Sequence, residues 1–278
     1  ANINDLLMYL ETNKEYIHTE GYWELIKGEA LGLRAFHYFD LLRMWGPVYM
    51  QDSLSLSVPF RDEFNSKKVP SIPANELVHK ILKDLTEAEM LLKDDKVDWN
   101  RNNTEPFIGE RAYRMNKYAV KALLARVNLW IGNKEKAALY ARDVIEHCGL
   151  NLVRDNQADV AMFDETIFGL SMYNMSEKLN SYWKTSLPYN DELWISDNNW
   201  TTVFESATCG INDIRYKRGF GFIHGENQNM CRKYLGESVF YDENIPLIRL
   251  VEMYYILAES VSLEESVQYI NKVRNTRG

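Results

Sequence analysis

The feature that most constrains the fold is an uninterrupted helical pattern over residues 22–45. Apolar side chains recur there at steps of three and four along two adjacent stripes, leaving only a narrow polar face. The helix is therefore predicted to be largely buried. Gly28 and Gly32, one turn apart, predict a notch where a second helix crosses closely, and Gly46 with Pro47 ends the helix.

Five further segments carry the same periodicity, and four of them form two pairs joined by short turns. The predicted segments are Asn75–Leu92, Asn116–Ile131, Lys134–Cys148, Pro246–Ser260 and Leu263–Arg277. Two short helices joined by a tight turn form the unit that tetratricopeptide arrays stack, although the strict repeat consensus is absent. The sequence predicts an all-α, mainly helical fold of irregular tetratricopeptide-repeat-like hairpins.

The helical period fades between about residues 150 and 245. A stretch of this length is too long for a plain connection, and such segments usually carry function. We predict a single domain over residues 1–278, with a loop-rich, ligand-facing excursion at about 150–245 that contains short helices and leaves room for a small hairpin.

Charge and motif content exclude several classes of protein. The net charge is −8, whereas nucleic-acid and anionic-membrane binding require a basic face. The three cysteines form no C-x-x-C pair, and the five histidines show no metal-ligand spacing. No nucleophile elbow or phosphate-binding loop occurs, and the glycines at 219–225 miss the dinucleotide fingerprint by one residue. We predict no catalytic residue, metal site, cofactor or nucleic-acid partner.

The excursion contains a window, residues 182–204, in which aromatic rings alternate with amides and carboxylates. A pyranose ring stacks on an aromatic face, and its hydroxyls need polar partners at the rim. The predicted stacking platforms and hydroxyl partners are Trp183, Tyr189, Trp194, Trp200, Asp191 and Asn198. The equally weighted alternative is that the tryptophans fill space between the excursion and the helices. Trp99 is a second candidate of the same kind, and Trp45 and Trp130 are predicted to be core residues.

Several motifs, in order along the chain, resemble the SusD-like (RagB/SusD) family of Bacteroidetes. The clearest stretches are Lys27–Val48, which is similar to the family's "EA-x-x-LRA-x-x-YF" helix and turn, Ile245–Glu259, similar to "IP-x-IR-x-x-E", and Ile270–Gly278, similar to "LN-x-VR-x-R-x-G". These motifs are interpreted as framework, with Arg249 and Glu252 as neighbours on one helix. Binding would then fall to the excursion.

The resemblance implies a surface lipoprotein of the outer membrane that captures an oligosaccharide and delivers it to a SusC-like, TonB-dependent transporter. Family members carry a lipidated cysteine ahead of an N-terminal segment and usually continue past the last motif, so this chain is expected to be a trimmed or short member. Two alternatives stay open. One is a tetratricopeptide-type adaptor with a concave groove, and the other is a glycoside hydrolase using two acids among Asp191, Glu192 and Asp197.

Overall fold

The computed structural model describes residues 2–154, 159–180, 194–208, 210–216, 222–225, 228–231, 233 and 243–278. Contacts divide the chain into two compact units, the first formed by residues 1–148 and 259–262 and the second by residues 149–258 and 263–278. The second unit begins where the predicted excursion begins. The single domain over 1–278 stays a prediction.

The first unit is built of helices with one small hairpin. Its elements are α1 (Asn2–Thr12), α2 (Tyr22–Trp45), β1 (Leu56–Pro59), β2 (Ser71–Pro73), α3 (Ala74–Leu91), α4 (Lys117–Trp130) and α5 (Lys134–His147). α2 packs along α3, and α4 packs against α5. The prediction of a mainly helical, tetratricopeptide-like fold is confirmed, and three small sheets lie among the described residues as well.

Helix α2 lies in the core of the first unit, as its two apolar stripes predict. Its buried residues include Ala35, Phe39 and Leu42. The glycine notch is confirmed: a Cβ on Gly28 would lie 2.6 Å from Cγ of Leu92, which follows α3. The interpretation of Trp45 as a core residue is wrong, because 65% of it is exposed at the end of the helix.

Substituting Gly28 by Ala is expected to lower the free energy of unfolding by about 1–2 kcal/mol. The added methyl group overpacks the α2–α3 contact, and this cost exceeds the roughly 1 kcal/mol gained in helix propensity. Urea unfolding measures the effect. In a Leu92→Ala background the same substitution should cost less, because the clashing side chain is gone; an equal cost in both backgrounds would contradict the packing explanation.

Local signals place the α4–α5 hairpin correctly. The Asn116 side chain caps α4 by accepting hydrogen bonds from the N–H groups of Tyr118 and Ala119, and the Asn133 side chain accepts from Lys136 at the start of α5. Gly132 adopts φ +83° in the turn between the helices, a conformation that glycine adopts without strain.

The second unit combines short strands with helices. Its elements are β3 (Thr166–Ser171), α6 (Met175–Asn180), β4 (Trp194–Ser196), α7 (Asp197–Val203), β5 (Phe222–Gly225), β6 (Gln228–Cys231), β7 (Asn244–Arg249), α8 (Leu250–Ser260, to Ala258 in this unit) and α9 (Leu263–Arg277). β5 and β6 form an antiparallel hairpin, and β4 pairs with the other side of β6. Short helices and a hairpin therefore occupy the excursion.

The predicted helix over Pro246–Ser260 is corrected at its beginning. Residues Asn244–Arg249 form strand β7, antiparallel to β3, and α8 begins only at Leu250. Pro246 lies opposite Gly169, and a proline is tolerated there because the sheet has two strands and β7 has one unpaired edge. The predicted face of α9 is only partly buried, since Val273 is buried whereas Val267 and Ile270 are exposed.

Candidate functional site

The second unit contains a cavity of about 620 Å³. Ligand sites in proteins usually fall between about 300 and 1,000 Å³. Its wall is assembled from segments far apart in sequence: residues 160–162, the end of α7, the turn at 210–215, the β5–β6 hairpin, the α8 region and the last turn of α9. Val251 and Val273 form a buried apolar part of this wall, and Tyr255 is 47% exposed beside it.

An aromatic cluster supports one side of the cavity. Trp200 on α7 lies with its ring 4.4 Å from that of Phe204, 4.6 Å edge-on to Phe222 and 5.6 Å, nearly parallel, from Tyr216. Phe204 and Phe222 themselves line the cavity. α7 is held in place by its cap, since Ser196 accepts a hydrogen bond from the N–H of Asn199.

The turn at the mouth of the cavity presents a fixed ion pair. The guanidinium of Arg215 donates to both carboxylate oxygens of Asp213, at 3.0 and 2.6 Å. Burial raises the pKa of the Asp213 carboxyl, but the hydrogen bonds from Arg215 and the charge of Arg277 outweigh burial, so that the pKa is lowered. Asp213 in turn raises the pKa of Arg215. Both groups are therefore charged over the whole physiological pH range.

A second ion cluster anchors the wall from behind. Glu165 is fully buried, and its carboxylate accepts hydrogen bonds from Arg277 at 2.7 and 2.9 Å and from the N–H of Val153 at 3.0 Å. The guanidinium of Arg249 lies 3.6 Å from the same carboxylate. The interpretation of Arg249 as a helical neighbour of Glu252 is therefore corrected: Arg249 ends a strand, and its ion pair is with Glu165.

The structure describes three of the six predicted site residues. Trp194 is half-buried on β4, opposite Met230, and Asn198 is exposed on α7. Trp200 is 4% exposed, so its indole has no face open to a sugar. For this residue the structure favours the packing alternative. Trp183, Tyr189 and Asp191 lie outside the described residues.

The other residues weighed in the sequence are bound into the scaffold. The indole N–H of Trp99 donates to the carbonyl of Cys148 at 2.6 Å, and its ring stacks on Tyr118. Asp197, considered as a catalytic acid, accepts a hydrogen bond from the buried amide of Asn229 at 2.9 Å. Both residues serve local structure here.

The described part of the chain shows neither a metal-binding cluster nor a helix that could span a membrane. No group of three or more histidine, cysteine, aspartate or glutamate side chains is placed there to hold a metal ion. None of the helices in those residues has the length and apolar character needed to cross a bilayer.

The arginines of the cavity wall and Tyr255 are absent from the predicted site residues. The motifs that contain Tyr255, Arg274 and Arg277 are interpreted as framework in the sequence. A usable signal is their spacing: Arg274 is the first arginine of the last α9 motif and lies three residues before Arg277, so both reach the same end of one helix.

Comparisons with known proteins give one family model within the first unit and relatives that cover nearly the whole chain. Residues 1–129 match the family model SusD-like, described as starch-binding associating with outer membrane. A SusD-like protein of Formosa agariphila is 24% identical over 288 aligned positions, covering 90% of this chain and 56% of the relative.

Solved structures with the same fold cover nearly all of this chain. A SusD superfamily protein of Bacteroides thetaiotaomicron superposes with a TM-score of 0.74 at 22% identity, over 99% of this chain and 63% of that one. A SusD-like carbohydrate-binding protein of Bacteroides vulgatus gives 0.73 at 19% identity, over 99% and 60%. A structure with a xylogluco-oligosaccharide gives 0.68 at 19% identity, over 99% and 62%. The chain spans less than two thirds of the length of these relatives.

Proposed function

The chain belongs to the SusD-like family, and on this premise we propose that it binds an oligosaccharide without catalysis and delivers it to a TonB-dependent, SusC-like transporter. The family is one of starch- and sugar-binding proteins associated with the outer membrane. The observation that carries the proposal is the cavity of about 620 Å³ in the second unit, which is the part of the chain with the least helical pattern.

The wall of this cavity suits a sugar. Phe204, Phe222 and Tyr255 supply aromatic surface, on which the C–H face of a pyranose can stack. Asp213 and Arg215 supply charged acceptors and donors for hydroxyl groups at the mouth. The xylogluco-oligosaccharide in one structurally similar protein agrees with a sugar ligand.

Residues of the aromatic window remain proposed contacts of the ligand. The proposed set is Trp183, Tyr189, Trp194, Asp191 and Asn198. The C-terminal end of the same window, at Val203 and Phe204, lines the cavity. Trp200 supports this region from the core.

The chemistry of Asp213 argues against this residue as the acid of a glycosidase. A glycosidase needs one carboxylic acid whose pKa is raised, so that it can protonate the leaving oxygen. The pKa of Asp213 is lowered by its ion pair with Arg215, although burial alone raises it. This carboxylate is an acceptor at neutral pH and unsuited to donate a proton.

Substituting Tyr255 by Ala is expected to weaken glycan binding about threefold to tenfold, because a lost aromatic contact is worth about 0.5–1.5 kcal/mol. The ligand is first found on a glycan array, and affinities are then measured by isothermal titration calorimetry. Tyr173→Ala is the matched control, since Tyr173 is 78% exposed in the same unit and is absent from the cavity wall. Equal affinities of both variants and the parent would place the ligand elsewhere.

The same assay separates the alternatives. Hydrolysis of an array glycan on prolonged incubation would favour an enzyme, and a chain that binds no glycan would contradict the proposed function. Delivery to a transporter is tested by co-purification: a SusC-like protein encoded beside this chain is expected to be retained by it. The outer-membrane location and lipid anchor are tested by cell fractionation of the native host.

A further inference from the structure

The cavity wall is cationic in a chain that is acidic overall. Five basic side chains lie among the described residues that line it: Arg215, Lys233, Arg249, Arg274 and Arg277. Against these stand Glu205 and Asp213 in the wall and Glu165 behind it. The local balance is five against three, while the whole chain carries −8. A wall of this sign attracts anions.

The basic groups differ in how many of their hydrogen-bond donors are already used by other residues of the protein. Arg277 is committed to Glu165 and to the carbonyl of Val153. Arg249 is held loosely, at 3.6 Å from Glu165 and 3.8 Å from the sulfur of Met162. Because Glu165 is a single carboxylate shared by two guanidinium groups, Arg249 keeps donors available for another acceptor.

Two further arginines face the solvent at the mouth. The side chain of Arg215 is 58% exposed. Its ion pair with Asp213 fixes the orientation of the guanidinium plane, so the remaining N–H groups point away from that carboxylate. Arg274 is exposed in the last turn of α9 and makes no ion pair with any residue that the structure describes. An exposed guanidinium fork held beside a cavity matches the two oxygens of a carboxylate or sulfate group.

A neutral sugar would leave these groups poorly satisfied. When a neutral sugar covers three partly hydrated guanidinium groups, it removes their water without supplying a charged acceptor. This desolvation lowers the affinity. An anionic group on the sugar replaces the lost water with charge-assisted hydrogen bonds, while the pyranose ring still lies against Phe204, Phe222 and Tyr255.

We infer that the cavity binds an anionic oligosaccharide, one bearing carboxylate or sulfate groups, through Arg215, Arg249 and Arg274. This inference rests on the proposed glycan-binding function and names the ligand class of the same site. The apolar part of the wall fixes the ring, and the arginines select for charge.

The test compares each acidic glycan with its neutral counterpart on the unmodified chain. The probes are oligogalacturonate and its methyl ester, and a sulfated galactan oligosaccharide before and after desulfation, so the two sources of negative charge are separated. At least one acidic probe should bind about tenfold or more tightly than its neutral partner, and raising the salt concentration should weaken that binding by screening.

A matched pair of variants locates the effect. Arg274→Gln is expected to weaken binding of the acidic probe about fivefold and thereby to narrow the preference for the acidic over the neutral probe. Lys272→Gln removes the same charge from the same helix outside the cavity wall and should match the parent. Thermal unfolding of both variants checks that the fold is retained.

The outcomes are distinct. Equal affinity for acidic and neutral partners, or binding of neutral glycans alone, would overturn this inference and leave the proposed function standing. Equal losses in the Arg274 and Lys272 variants would overturn the assignment of the arginines, because the effect would then follow net charge. A chain that binds neither these probes nor any array glycan would overturn the inference and the proposed function together.

Discussion

Substituting Arg111 by Met is expected to lower the free energy of unfolding by about 3–5 kcal/mol, the usual cost of removing one partner from a buried ion pair. Arg111 is 0% exposed, and its guanidinium lies 2.5 Å from Glu29 and 2.6 Å from Asp95. Glu29 retains Arg114 in the variant, whereas the buried carboxylate of Asp95 keeps, among the residues that the structure describes, only the N–H of Lys117 at 3.1 Å. An unpaired buried charge results.

Urea unfolding followed by circular dichroism measures this loss. Arg43→Met is the control, because Arg43 pairs with Asp40 at the surface of α2 and exposed pairs contribute at most about 1 kcal/mol. If Arg111→Met cost no more than Arg43→Met, the buried network would be shown to contribute little beyond what a packed apolar side chain supplies.

This network shows why the sequence predicts helices better than the contacts that hold them. The bounds of α2 and α5 follow from periodicity, capping residues and turn glycines. Each of these signals depends on residues that are close together in the sequence. Glu29 and Arg111 are 82 positions apart. Nothing in local pattern indicates which of the 32 basic residues meets a given carboxylate, so the pairing is set by the three-dimensional packing.

The errors have a similar origin. Residues 246–249 continue the apolar steps of α8, and the partner that makes them a strand, β3, lies about 75 residues earlier. Trp45 follows the stripe of α2, but the helix ends there and its last turn passes beyond the core. A periodic pattern gives the face on which a residue lies and leaves open whether another element covers that face.

The candidate site could be predicted only as a region. The fading helical period pointed to residues 150–245, and the cavity lies in the unit that contains them. Its wall also needs Arg274 and Arg277 from α9, which follow that region in sequence. Composition predicted an aromatic-rich site, yet it could not distinguish a ring that lines the cavity, such as Phe204, from one packed behind it, such as Trp200.

Substituting Trp200 by Ala should therefore lower the free energy of unfolding by about 3–5 kcal/mol, the range for removing a large buried aromatic side chain. The indole contacts Phe204, Tyr216 and Phe222, and its loss leaves a void among these rings. Trp194→Ala, which truncates a half-buried residue on β4, should cost clearly less. Thermal and urea unfolding of both variants measure the difference.

Binding measurements on a conservative variant separate packing from stacking. Trp200→Phe keeps an aromatic ring in the cluster, so a supporting role predicts a moderate loss of stability and glycan affinity within about threefold of the parent. A stacking platform predicts the opposite pattern, with affinity falling while stability is nearly unchanged. Because Phe204 and Phe222 both pack on Trp200 and line the cavity, the alanine variant would lose affinity under either role, and only the phenylalanine variant decides between them.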